Sequence, residues 1–317
     1  MKQGPVFIAG VSYSGKTQLR LMLSAHPNMV ITRRTYMWRR YYKRFGKLSD
    51  PENFERCLET MLASKHIQTL NPDPERIRRE FQQGEPGYGH LFAMIHRHFA
   101  EELGKARWGD QQGLLENDAD LLFAAEPKAV ILQMVRNPLD RIGESVATSA
   151  HRKAKIGWET SLWRRSSRLA LRNLKKYPLR YMVVQCEQLF AYPEKILRDV
   201  CLFLGEEFHP EMLAVDGLAE MGVDVPQAFV KREQAEGRTN RQDQNTLTPA
   251  ERSFIQSQVR SEMSALGYLK TEQDLPFMNA LKYVLLDYPL NLAGAILWKT
   301  WGRRNGSVPK ISIEHGS

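Results

Sequence analysis

Gly10-Val11-Ser12-Tyr13-Ser14-Gly15-Lys16-Thr17 puts two glycines, two serines, a threonine and a lysine within eight residues. Backbone N–H groups opened by glycine, short hydroxyls and one ammonium together make an anion site, most often a phosphate site. The letters satisfy G-x-x-x-x-G-K-[ST], a pattern with meaning only between a strand and a helix. Both flanks are present: the apolar run Val6 to Ala9 comes before it, and an amphipathic segment to residue 25, closed by Pro27, follows. An ordinary strand-to-helix turn, its glycines there only to relieve backbone strain, is the plainer alternative.

The rest of the chain supplies elements that can hold such a loop. Met29–Thr32 predicts a second short strand, and Asp50-Pro51 and Asp73-Pro74 start helices over 51–64 and 74–82. Leu91 to Leu103 is amphipathic and follows His90, with His96 and His98 inside it; Asp118 to Ala125 continues as a short helix. Ala129 to Val135 is nearly continuous apolar sequence, the mark of a strand buried on both faces. It runs into Arg136-Asn137-Pro138-Leu139-Asp140 and a helix to about Ser149. A basic helix over Glu159–Tyr177, a strand over Tyr181–Val184 and a helix over Pro193–Leu204 follow. Strands alternating with helices predict an α/β fold: a mostly parallel central sheet with helices on both faces. Ligands of such sheets collect at the carboxyl ends of the strands, where Ser14–Thr17, Arg136 and Glu187 fall. Residues 222–246 are polar and predict a loop, and Thr248-Pro249-Ala250-Glu251 restarts a helix as a capping box to about Leu266.

Composition narrows the class. The 317 residues are 42% hydrophobic and 26% charged, which suits a folded soluble chain with one large domain or two small ones. Cys57, Cys186 and Cys201 show no metal-ligand spacing and leave one cysteine over in any pairing, which points to a reducing, cytoplasmic setting. No charged n-region and apolar h-region open the sequence, so a secretory signal is not expected. The net charge of +9 is uneven: residues 33–47 hold seven Lys/Arg and no acid, and 152–180 hold ten against Glu159 alone. Such runs suit an anionic partner or a solvated helix face. Nucleic acid is not expected, since no recognition motif accompanies the charge. The tail 276–301 is apolar and aromatic but broken by Asp287 and Pro289, too short to span a bilayer. It predicts a helix packed on the domain, an oligomer contact, or a membrane-surface anchor with Trp298, Lys299, Trp301, Arg303 and Arg304 at the boundary.

Four segments resemble the PAPS-dependent sulfotransferase family, in the family's order. PVFIAGVSYSGKTQLRLMLSAHP is similar to its 5′-phosphosulfate loop, and ILQMVRNPLDRIGESV to its 3′-phosphate turn. YMVVQCEQLFAYPEKILRDVCLFLGEEFHPEML and LTPAERSFIQSQVRSEMSALGY resemble its later helices. The resemblance implies a P-loop-like α/β domain over residues 1–270 with a helical extension over 271–317. It implies 3′-phosphoadenosine 5′-phosphosulfate (PAPS) as co-substrate, no metal, and a small-molecule, carbohydrate or lipid acceptor with a hydroxyl or amine. It assigns the 5′ end to Ser14, Gly15, Lys16, Thr17 and Gln18, and the 3′-phosphate to Arg136 and a serine. That serine falls on Glu144 by strict spacing or on the next residue, Ser145, which is taken here.

Departures from the family pattern touch catalysis. Tyr13 stands where a cation is usual, with Lys16 three residues on; Gln111 follows Trp108-Gly109-Asp110; Cys186 replaces a tyrosine; Arg34 stands where some relatives carry an acid. Lys16 is the expected stabiliser of the leaving oxygen. The base is open among Asp110, His90, His96 and His26, with Asp110 taken first. The Arg33/Arg34/Arg39/Arg40 cluster suits an acidic acceptor, the donor or solvent. Two alternatives stand beside this reading: a P-loop NTPase or kinase, and a non-catalytic nucleotide-binding member of the same fold.

Overall fold

The structure, a computed structural model, describes residues 4–147, 149, 152–214, 247–269 and 283–305. The polar stretch 222–246 and the side chains of Trp298, Lys299, Trp301, Arg303 and Arg304 lie outside the described residues. Five strands form the sheet: β1 (Val6–Ala9), β2 (Met29–Arg33), β3 (Arg107–Gln111), β4 (Val130–Val135) and β5 (Tyr181–Gln185). Their order is β2–β3–β1–β4–β5, and every pairing is parallel. All residues of β1, β3 and β4 are buried, so both faces of the sheet are covered.

The helices are α1 (Lys16–Ser24), α2 (Met37–Arg40), α3 (Pro51–Leu62), α4 (Lys65–Gln68), α5 (Pro74–Phe81), α6 (Tyr88–Glu102), α7 (Ala119–Ala125), α8 (Pro138–Val146), α9 (Arg152–Lys176), α10 (Cys186–Ala191), α11 (Pro193–Leu204), α12 (Pro249–Ala265) and α13 (Tyr288–Asn305). Local chemistry sets several starts. Asp50 accepts from Glu52 N–H at 3.0 Å and Asp73 from Glu75 and Arg76 N–H at 3.0 Å, each ahead of a proline in the first turn. Thr248 and Glu251 close the expected capping box on α12.

Central strand β3 is absent from the sequence-based expectation. Arg-Trp-Gly-Asp-Gln has no β-branched residue and no alternation, so nothing local marks it as a strand. Tertiary pairing with β1 and β2 makes it one. Helix α9 starts at Arg152, earlier than the Glu159 expected, and α8 ends at Val146, before Ser149.

The chain divides into two compact units: Met1–Arg136 with Leu169–Arg241, and Asn137–Arg168 with Gln242–Ser317. The first unit holds the sheet and a core built on Phe7, Leu19, Leu23, Ile31, Leu91, Leu132 and Val200. Cys57 and Cys201 lie in this core, and burial pushes their thiols up to about 12 and about 11. All three cysteines are buried and none is in a disulfide.

The second unit is helical and held by buried charge. Arg141 of α8 bonds the Glu159 carboxylate and its carbonyl, and Ser145 Oγ donates to Glu159 Oε1 at 2.8 Å. Arg152 grips Glu251 in a two-pronged pair at 2.8 and 2.9 Å, and Arg164 and Arg168 both reach Glu262. Part of the basic run from 152 is therefore spent inside the unit.

Candidate functional site

The loop after β1 is bent by three positive φ angles, 120° at Gly10, 63° at Tyr13 and 84° at Gly15. Gly15 caps α1 in the left-handed region, and a Cβ there would lie 2.6 Å from Cys186 Sγ. The N-cap residue of α1 is a glycine and makes no side-chain cap bond, and the positive end of the helix dipole lies at this loop. Ser14 Oγ donates to the Val11 carbonyl at 2.8 Å, and Lys16 Nζ bonds the same oxygen. Ser14, Lys16 and Gln18 are buried and Thr17 is half-buried, whereas Tyr13 is 47% exposed.

Two neighbours fix this loop. Arg136, directly after β4, donates from Nη1 to the Tyr13 carbonyl at 3.1 Å. The two elements that sequence assigns to the two ends of one ligand thus meet at the carboxyl ends of adjacent strands. Glu116, fully buried, accepts from Gly10 N–H at 3.0 Å, and Asn173 holds the Glu116 carbonyl at 3.0 Å. Glu116 carries no signal in sequence, and Cys186, marked there only as a replaced tyrosine, gives no sign of its place against Gly15, because both act through contacts distant along the chain.

Asp110, the first base expected from sequence, sits at the carboxyl end of β3 and is 1% exposed. Its oxygens accept from Thr32 Oγ1 at 3.0 Å, Thr35 N–H at 3.3 Å and Thr35 Oγ1 at 2.7 Å. It is committed to shaping the turn after β2, where Arg34 and Tyr36 both have positive φ. Non-glycine residues in that region are costly, and here they follow the carboxyl ends of β1 and β2. Ser145, expected at the 3′-phosphate, has its hydroxyl on Glu159 and is 3% exposed.

The histidines separate clearly. His26 accepts from Asn28 N–H at 3.0 Å through Nδ1, so its Nε2 donates to the Glu207 carbonyl at 2.8 Å. Fully buried His96 stacks on Trp108 at 4.6 Å, with Nδ1 2.7 Å from the Phe92 carbonyl. Burial lowers the pKa of both. His90 packs at Phe81, and burial lowers it too. His66, which sequence did not single out, stands edge-on to Tyr36 at 5.1 Å, with Arg40 4.6 Å over the same ring. Burial lowers its pKa, then the charges of Arg40, Arg34 and Arg33; Asp110 pulls the other way. A lone histidine on a four-residue helix gives sequence nothing to work with.

A parallel α/β sheet with a glycine-led helix start beside the arginine that follows β4 is an arrangement able to hold an anionic group. Residues 5–210 match the model of the sulfotransferase family, and the chain belongs to that family. The sulfotransferase domain of the olefin synthase from Synechococcus PCC 7002 is similar at 19% identity and TM-score 0.55, covering 86% of this chain and 95% of its own. The sulfotransferase domain from the curacin biosynthetic pathway is similar at 18% identity and TM-score 0.56, covering 84% and 99%. At these identities the likeness concerns the fold. No protein of curated function matches the sequence.

Proposed function

We propose that this chain moves a sulfuryl group from PAPS to a hydroxyl or amine acceptor, and that residues 1–270 carry the reaction. The observation that carries the reading is the glycine-led N-terminus of α1, with the Lys16 ammonium on the Val11 carbonyl of the same loop and Arg136 braced on Tyr13. Those residues fit a ligand with two separated anionic groups. Backbone N–H groups of Ser14 to Gln18, the Thr17 hydroxyl and Lys16 would hold the 5′ end, and Arg136 the 3′-phosphate through its forked donors. Bound there, PAPS supplies an activated sulfuryl group whose bridging oxygen leaves with the nucleotide. Lys16 meets the charge that grows on that oxygen. Ser145 we assign to the Glu159 network and Asp110 to positioning, since each has its polar atoms on those partners.

For the base we propose His66, whose neutral imidazole takes the acceptor proton. The environment of His66 supports this: three arginines and burial disfavour the charged form. Arg33, Arg34 and Arg40 would orient an acceptor with an acidic group. A cytoplasmic setting, peripheral to a membrane, fits the tail and cysteines outside any disulfide. The test is transfer of labelled sulfate from PAPS to a set of hydroxyl and amine acceptors. Label on an acceptor, lost in Lys16→Ala, supports the reading; release of label from ATP's terminal phosphate instead overturns it.

A further inference from the structure

The second unit carries a surface that sulfuryl transfer does not use. Helix α13 turns its small, polar side inward: Asn291 is 1% exposed and Ala295 7%. Gly157 of α9 allows this seat, because a Cβ there would strike the Asn291 carbonyl oxygen. Leu290 instead faces solvent at 53%, and Val284, Leu285 and Leu286 in the preceding turn are 61%, 64% and 57% exposed. A helix amphipathic for its own unit would bury leucine and expose asparagine. This one is inside out.

A groove of about 400 Å³ lies in the same unit, lined by Arg164, Ser257, Gln258, Arg260, Ser261 and Ser264. Groove and apolar turn are tied together: Gln258 Nε2 donates to the hydroxyl of Tyr288, the first residue of α13, at 3.3 Å. Buried Glu262 accepts from Arg164 Nε at 3.2 Å and so orients that guanidinium. Arg260 has no acidic partner among the described residues. The backbone of α12 departs from helical geometry at Val259, φ −125° and ψ 17°, in the middle of the groove-lining stretch. Ser257 Oγ donates to the Phe254 carbonyl and Ser261 Oγ to Glu262 Oε2, which leaves the two arginines lining the hollow as its chemistry for phosphate.

We propose that this surface docks on an anionic lipid bilayer, with Val284, Leu285, Leu286 and Leu290 at the acyl boundary and a lipid phosphate in the Arg164–Arg260 groove. Fixed cations beside an exposed apolar strip suit the interface of such a membrane. No helix among the described residues is long and apolar enough to cross one, so the contact is with the surface. A second copy of the chain is a poorer occupant. It would bring the same +9 charge and, across a two-fold axis, the same arginines.

The test is flotation of the full chain with vesicles of phosphatidylcholine alone and of phosphatidylcholine mixed with phosphatidylglycerol. The chain should float with the mixed vesicles and not with the neutral ones. Arg260→Gln should lower affinity for the mixed vesicles about fivefold, and Leu285→Glu with Leu290→Glu should abolish flotation. Both variants alter exposed side chains and should keep the parent melting temperature, which separates lost docking from lost folding. Three results would each overturn the proposal. They are no flotation with mixed vesicles even where inorganic phosphate raises the melting temperature, flotation unchanged in the double leucine variant, and a solution dimer that this variant dissociates. None depends on PAPS, so a failure of the sulfotransferase reading leaves the proposal standing.

Discussion

At Lys16 the ammonium rests on the Val11 carbonyl, inside the loop that it would serve, and it is 7% exposed. Lys16→Ala should lower kcat/KM about 10²–10³-fold, the usual loss for one group that stabilises developing charge. Its KM for PAPS should move far less than kcat; a raised KM with kcat unchanged would make Lys16 a binding residue only. At His66 the sign of the pH effect is fixed by the lowered pKa. The base works when neutral, so the acid limb of kcat/KM should fall below pH 6.5. Arg40→Gln removes one of the lowering charges and should move that limb up towards 6.5, whereas His66→Gln should abolish it. A limb at the same pH in all three proteins would exclude His66. Glu126 tests burial alone, which raises its carboxyl to about 7. Its folded pKa lies above its unfolded value, so its contribution to stability is present at low pH and lost as pH rises through 7. Glu126→Gln should therefore gain roughly 1–2 kcal/mol over the parent between pH 5 and pH 8. Melting temperatures of the two proteins across that range check it.

Among the elements, the loop from β1 to α1 is held from behind by Glu116 and on its flank by Cys186. Glu116→Ala leaves the Gly10 N–H buried without an acceptor and should weaken PAP binding as well as cost about 1–3 kcal/mol. Glu116→Gln keeps an acceptor and should restore PAP affinity, which calorimetry with PAP would show. The buried pair Arg141–Glu159 plays the corresponding part in the second unit. Glu159→Ala removes the carboxylate facing a guanidinium that is 1% exposed and should cost about 3–5 kcal/mol in chemical denaturation. Sequence made β1, β4 and the starts of α3, α5 and α12 legible, because apolar runs and caps are local signals. It left β3 unreadable, since Arg107–Gln111 is a strand only by virtue of its two neighbours. The same division holds for the site. Ser14 to Gln18 and Arg136 are marked by motif, whereas Glu116 and His66 enter through contacts that only the folded chain creates. Asp110 and Ser145 show the reverse case, as residues that stand out by position but are held by threonines and by Glu159.

On the scale of the whole molecule, the family match over residues 5–210 and the five-stranded parallel sheet establish the fold. What they leave to chemistry is the ligand. An α/β sheet of this kind can serve many reactions, and the site decides among them. The loop letters would suit a triphosphatase equally well, but β4 is followed by Arg136, and that arginine is braced against the loop. The most direct measurement is therefore the shift in melting temperature produced by PAP, set against ATP with Mg²⁺. At 100 times its dissociation constant a ligand adds about 2.7 kcal/mol, enough to move the midpoint by several degrees. PAP should produce a shift that shrinks in Arg136→Ala, and ATP with Mg²⁺ should produce none. A shift with ATP and Mg²⁺ alone would contradict it.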